Sequence, residues 1–197
     1  MKIKFLFLIL IVFVVSCQNN IQYKYQEKEQ VIFCTNEDNA LLNEALYSFE
    51  NDIATYYQAT IPDIKTLDLE LSYAHFIFLG AKGEIDLKKI VSDHSINILI
   101  LLKEKGYLNN SKSKVSNLDY HSNLATCLID QFENEDIKTS IKSQISIDFL
   151  DPKIMAENYR VNVKDVHTDR NFALFIAFET YYQYLANIDF SNFKKNE

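Results

Sequence analysis

The chain has 197 residues with a net charge of −7, and 48% of them are hydrophobic. That composition supplies the core of about one domain and speaks against a disordered chain. The acidic balance, without any basic run, speaks against nucleic acid as a partner, because nucleic-acid binding depends on neutralising phosphates.

The first seventeen residues have the layout of a secretory signal. Lys2 and Lys4 give a positive start, residues 5–15 are eleven uninterrupted apolar residues, and Ser16 and Cys17 follow. The apolar run is shorter than the roughly 20 residues that a helix needs to span a bilayer. The order of positive, apolar and small residues therefore predicts an exported protein.

The sequence Val14-Val15-Ser16-Cys17 resembles the lipobox of bacterial lipoproteins. The resemblance implies that residues 1–16 are removed and that Cys17 becomes a lipidated N-terminus. The alternatives are an ordinary signal peptide cut elsewhere and an uncleaved apolar anchor. Gln18 in place of Asp, and a first acid only at Glu27, are by resemblance typical of an outer-membrane lipoprotein facing the periplasm. The chain thus resembles small helical lipoproteins of Bacteroidota that have no assigned activity.

After cleavage, 27 acidic residues face 18 basic ones, a net charge of −9. The polar stretch 17–33 carries the lipid and is expected to be a tether, reaching at most ~55 Å when extended. Residues 34–190 are expected to form the domain and residues 191–197 a polar tail. Cys34 and Cys127 form either a disulfide, which an oxidising periplasm permits, or two buried thiols.

The chain contains three glycines, two prolines and no Asn-Gly dipeptide, which speaks against a sheet built on tight hairpins. The first helix is expected to begin at Thr35-Asn36-Glu37-Asp38 and to run to about Gln58. Its apolar residues recur every three or four positions. The polar residues of the opposite side are Asn43, Glu44, Glu50 and Asn51.

A second helix is expected from Pro62 to Gly80, although alternating apolar residues at positions 67–73 also fit a strand. A third is expected from Asp86 to Lys105, with a break near Ser92. Residues 109–116 read as a polar loop.

A fourth helix is framed by Ser116 and Asp119, and a fifth begins at Asn134. Asp151-Pro152 opens a sixth helix, which continues through Arg160.

The last helix is capped by Thr168, and residues 172–178 within it are all apolar. A helix that is apolar around most of its circumference is a buried one. The sequence therefore predicts an all-α fold, a single bundle of six or seven helices with the C-terminal helix buried at its centre.

Each of the four histidines lies near an acid, as a divalent metal site in a helical hydrolase would need. The residues in these groups are Glu70 and His75; Asp93 and His94; Asp119 and His121; and Asp165, His167 and Asp169. No His-Glu-x-x-His and no pair of Glu-x-x-His motifs occurs. We therefore assign no metal ligand, catalytic residue or cofactor, and a metal-assisted hydrolase remains an alternative.

Two further groups have a plain and a functional interpretation. Aromatic residues of the last helix form either core or an apolar-ligand pocket: Phe172, Phe175, Phe178, Tyr181, Tyr182 and Tyr184. The acidic run of Glu133, Glu135 and Asp136 is either a solvated helix start or a docking site for a basic partner.

No Gly-x-Ser-x-Gly, Cys-x-x-Cys or glycine-rich phosphate loop is present. The sequence thus favours a non-enzymatic, lipid-anchored envelope module that binds a partner protein as a scaffold, complex subunit or inhibitor. A carrier of an apolar ligand is the remaining alternative.

Overall fold

The structure, a computed structural model, describes residues 21–61, 68–108 and 116–191. The signal segment with Cys17, the expected helix start at Pro62, most of the expected polar loop and residues 192–197 lie outside the described residues. Within them the fold is all-helical without a strand, which confirms the predicted class. Its elements are α1 Asn39–Thr60, α2 Leu69–Lys82, α3 Leu87–Ile90, α4 Asp93–Glu104, α5 Asn123–Asp130, α6 Glu135–Ile145, α7 Pro152–Val161, a 3₁₀ turn Val163–His167, α8 Arg170–Ala177, a π-helical segment Phe178–Tyr182 and α9 Gln183–Leu185.

Most of these helices begin where a short polar side chain accepts a backbone N–H of the first turn. Asn134 and Asp151 cap α6 and α7, as the sequence predicts. The fourth helix of the prediction starts later than expected, because Ser122 is the residue that caps α5. Asp169, rather than Thr168, caps α8.

The expected break in the third helix is present, and it divides that helix into α3 and α4. Val91 and Ser92 are extended, with ψ of 133° and 159°. The Ser92 side chain caps α4, and its backbone N–H donates to the Asp52 carboxylate at 2.9 Å. The break therefore has its own hydrogen-bond partners on α1.

The C-terminal helix (residues 170–185) comprises α8, the π-helical segment and α9. Every residue from Phe172 to Phe178 is fully buried, and α8 packs against α1 and α5. The predicted burial of the last helix is confirmed.

The structure corrects the expected tether for residues 21–33. The N-terminal strap (residues 21–34) lies against α1, with Ile32 fully buried. The Asn43 side chain accepts the N–H groups of Val31 and Ile32 and donates to the Ile32 carbonyl, and Tyr47 donates to a strap carbonyl at 2.6 Å. Apart from one turn, in which the Lys28 N–H donates to the Tyr25 carbonyl, the strap lacks regular secondary structure, so polar side chains of α1 pair with its other backbone groups.

The strap ends at Cys34, which forms a disulfide with Cys127 on α5; the two Cα atoms are 5.8 Å apart. Of the two arrangements that the sequence leaves open, the structure has the bridge. Across the described residues, every helix is too short or too polar to traverse a bilayer.

Candidate functional site

The polar side of α1 is buried, although the sequence pattern predicts that it faces solvent. Asn43, Glu44 and Glu50 are at most 5% exposed, Asp52 is 3% exposed, and Asn51 is half-buried. A buried carboxylate is tolerated only with hydrogen bonds or a cation beside it. The partners of these three acids therefore show what α1 holds together.

Glu44 joins the strap to the start of α4. Its carboxylate accepts the backbone N–H groups of Lys24 at 2.6 Å and Tyr25 at 3.0 Å. The same carboxylate lies 2.6 Å from Nε2 of His94, whose ring meets the Tyr25 ring edge-on at 5.9 Å. One buried acid thus satisfies two strap amides and one histidine.

Glu50 and Asp52 join α1 to the C-terminal helix. Arg170 Nη2 donates to Glu50 at 2.6 Å, and Tyr73 of α2 donates to the same oxygen at 3.0 Å. The Tyr181 hydroxyl donates to Asp52 at 2.6 Å. These contacts bridge residues up to 129 positions apart, and they hold the bundle rather than a ligand.

The ammonium groups of two strap lysines lie over tyrosine rings of the strap and of α1. The Lys28 Nζ is 5.1 Å from the Tyr25 ring centroid and 4.5 Å from that of Tyr47, and the Lys24 Nζ is 5.4 Å from that of Tyr25. Such cation–π contacts contribute about 0.5–1 kcal/mol at exposed sites. Burial raises the pKa of Tyr25 to about 12, so its hydroxyl stays neutral at physiological pH.

A cleft of about 330 Å³ lies between the strap and α1. Its lining includes Tyr23, Gln26, Gln30 and Lys28, with Glu44 at the α1 side. These groups can donate and accept hydrogen bonds, but Glu44 is already occupied by the strap amides and His94.

Glu179 is a further buried acid, which sequence reasoning missed. It lies in the π-helical segment with no exposed surface, and it accepts hydrogen bonds from Tyr120 at 2.9 Å and Ser116 at 3.5 Å. Burial raises the pKa of Glu179 to about 8, although these hydroxyls and Tyr159 lower it. Glu179 is the one acidic residue in the mostly apolar and aromatic stretch 170–185, and this isolated acid was the signal that could have identified it.

The histidine–acid pairs do not come together. In the part of the chain that the structure describes, no three His, Cys, Asp or Glu side chains are placed to hold a metal ion. His94 contacts Glu44, and His121 contacts Asp148 at 3.0 Å on the exposed surface. His75 and His167 are exposed as well.

The acids of the predicted pairs serve as helix caps or hydrogen-bond acceptors within the fold. Asp169 caps α8, and Asp165 accepts from Asn134 at 2.9 Å. Asp119 accepts a backbone N–H two residues further along, and Asp93 lies in the first turn of α4. The hydrolase alternative therefore gains no support from these residues.

The aromatic residues of the C-terminal helix form core. Five of the six are fully buried: Phe172, Phe175, Phe178, Tyr181 and Tyr182. Their rings meet one another and those of neighbouring elements, as in the 5.3 Å pair of Phe132 and Phe172. Tyr184 is half-buried and donates to the Ala81 carbonyl at 2.6 Å. This packing lends no support to an apolar-ligand carrier.

The acidic run is a solvated helix start. Glu133, Glu135 and Asp136 are all exposed, and Glu135 pairs with Lys138 one turn further along α6.

No protein-family model, curated protein or solved structure matches this chain.

The largest exposed hydrophobic side chains include four on or beside α7, which we call the α7 apolar surface: Ile147, Phe149, Ile154 and Val161. Their exposed fractions are 70%, 59%, 55% and 51%. Ile154 and Val161 are seven residues apart and share one face of α7, while the other two precede that helix. Exposed apolar side chains concentrated in one stretch of the chain, here residues 147–161, mark a candidate protein-interaction surface.

Proposed function

We propose that this protein is a lipid-anchored component of a bacterial cell envelope that binds a partner protein and performs no chemistry itself. The lipobox-like segment ending at Cys17 supports the anchor and, by resemblance, an outer-membrane position facing the periplasm. The disulfide between Cys34 and Cys127 supports the address, because disulfides persist in oxidising compartments and are rare in the cytosol.

The α7 apolar surface is the observation that carries partner binding. Aliphatic and aromatic side chains left more than half exposed lose the free energy that burial provides, about 25 cal/mol per Å² of apolar area. A partner that covers them recovers this free energy. The bundle then acts as a scaffold, a complex subunit or an inhibitor.

The anchor is tested by feeding radiolabelled palmitate to cells that produce the full chain. We expect label on the mature protein and none on the Cys17→Ala variant. Intact mass of the same material reports the cleavage site and whether Cys34 and Cys127 have lost two hydrogens to a disulfide. Absence of label from the unaltered protein would refute the lipid anchor.

The partner-binding surface is tested with a photo-cross-linking amino acid placed at Ile147 or Phe149 in living cells. The matched control is Ile100 on α4, which is 44% exposed but lies outside the α7 apolar surface. We expect the same discrete protein adduct from both α7-side positions and not from Ile100. Adducts of equal yield and pattern from all three positions, or from none, would refute the surface.

A further inference from the structure

The docked strap leaves a very short chain between the lipid and the domain. If Cys17 carries the lipid, only residues 18–20 separate it from Ile21, where the described fold begins. The four peptide units from Cys17 to Ile21 span at most ~14 Å. This leash is a small fraction of the ~55 Å that a free tether through Phe33 would give.

The strap is fixed along its length, so the leash cannot lengthen without loss of contacts. Glu44 holds the strap at Lys24 and Tyr25, and Asn43 holds it at Val31 and Ile32. The disulfide fixes the residue at its end. Releasing the strap would break both backbone hydrogen bonds to the Glu44 carboxylate, so the docked strap is the favoured state.

The domain is much larger than the leash. About 170 residues in a compact fold have a radius of gyration of ~15 Å, and therefore a diameter of roughly 40 Å. Ile21 is held within ~14 Å of the bilayer, so it cannot lie on the side of the domain that faces away from the membrane. We propose that the lipidated protein lies directly on the bilayer with its strap side facing the lipid headgroups. This orientation rests on the proposed lipid anchor.

The strap surface suits that position. Tyr23 and Tyr25 are partly buried with polar hydroxyl ends, and Lys24 and Lys28 are exposed. Tyrosine and lysine have apolar bodies and polar ends, and both are favoured at membrane interfaces. Two glutamates in the same stretch balance the lysine charges, so the short leash, rather than charge attraction, sets the orientation.

The orientation is tested with the full-length lipidated protein in phosphatidylethanolamine–phosphatidylglycerol vesicles that contain a lipid with a nitroxide on its headgroup. A thiol-reactive fluorophore is attached at Gln22→Cys or, as a matched control, at Gln58→Cys. Both glutamines are exposed, but Gln58 lies about 21 Å further along α1 than Glu44. The bridged Cys34 and Cys127 leave the introduced thiol available for labelling.

We expect quenching of the Gln22→Cys probe to be several-fold stronger than that of the Gln58→Cys probe. An insertion of about twelve Gly and Ser residues between Asn20 and Ile21 extends the leash by up to ~40 Å and should largely remove the difference. Equal quenching in the parent protein, or an unchanged difference after the insertion, would overturn the proposal.

The two proposals fail in distinguishable ways. Absence of palmitate on the unaltered protein removes the anchor and, with it, the basis of the orientation. Palmitate present on Cys17, together with equal quenching of the two probes, removes the orientation alone.

Discussion

Replacing Glu179 with glutamine should make the protein more stable at alkaline pH. Burial raises the pKa of this carboxyl from 4.5 to about 8 in the folded protein. Below pH 4.5 the carboxyl is protonated in both the folded and the unfolded protein, and its contribution to the free energy of unfolding is at its maximum. Between pH 4.5 and 8 the unfolded protein releases this proton while the folded protein keeps it, so the free energy of unfolding decreases.

The size of the effect follows from the two pKa values. Between pH 5 and pH 8, this single group should lower the free energy of unfolding by about 3 to 4 kcal/mol. The Glu179→Gln amide has nearly the same shape, can still accept a hydrogen bond from Tyr120, and does not titrate. The stability of the variant relative to the parent should therefore increase by that amount across the interval.

Urea unfolding at pH 5, 6, 7 and 8, monitored by circular dichroism, measures this difference under a two-state analysis. Glu84→Gln, at an exposed position on the turn after α2, is the matched control and should show no such pH-dependent gain. If the difference between Glu179→Gln and the parent were the same at pH 5 and pH 8, the carboxyl would not be protonated in the native core. The reasoning from burial would then be wrong.

Three further predictions concern stability. Replacing Cys34 and Cys127 with serine should lower the free energy of unfolding by ~4–5 kcal/mol in the chain-entropy model, because the bridge spans 93 residues. The urea midpoint of this variant should fall by as much as that of the parent protein treated with reductant. Gly83→Ala should lower the melting temperature more than Gly106→Ala. Both glycines have positive φ, but of the two only Gly83 would place the new Cβ 2.8 Å from a tyrosine ring. Equal decreases in melting temperature would contradict this. Arg170→Met should lower the free energy of unfolding by about 3–5 kcal/mol in urea titrations, because it leaves the buried Glu50 carboxylate without its cation. An unchanged free energy of unfolding would mean that this carboxylate does not need Arg170.

The sequence predicted helix boundaries well where the signal is local. Asn134 and Asp151 cap the helices they were expected to cap, because capping depends on a side chain and the next two or three amides. The start of α5 was misplaced because Ser116 and Asp119 look like equally good caps. In the fold, Ser116 instead donates to Glu179, 63 residues away.

The sequence failed where one face of a helix meets a distant segment. Asn43, Glu44 and Glu50 read as a solvent-facing side of α1, because periodicity distinguishes polar from apolar positions but does not say what covers them. Their partners are strap amides and Arg170. For the same reason, the strap itself read as a free tether.

By itself the sequence determined an all-helical chain and the burial of its last helix, since helical periodicity and apolar content are properties of neighbouring residues. It also supplied the expectation of an exported, lipidated N-terminus. Only the tertiary structure decided that Cys34 meets Cys127, that the strap docks on α1 and that five acids of the described residues are buried. Those outcomes depend on pairs of residues far apart along the chain, which no local pattern encodes.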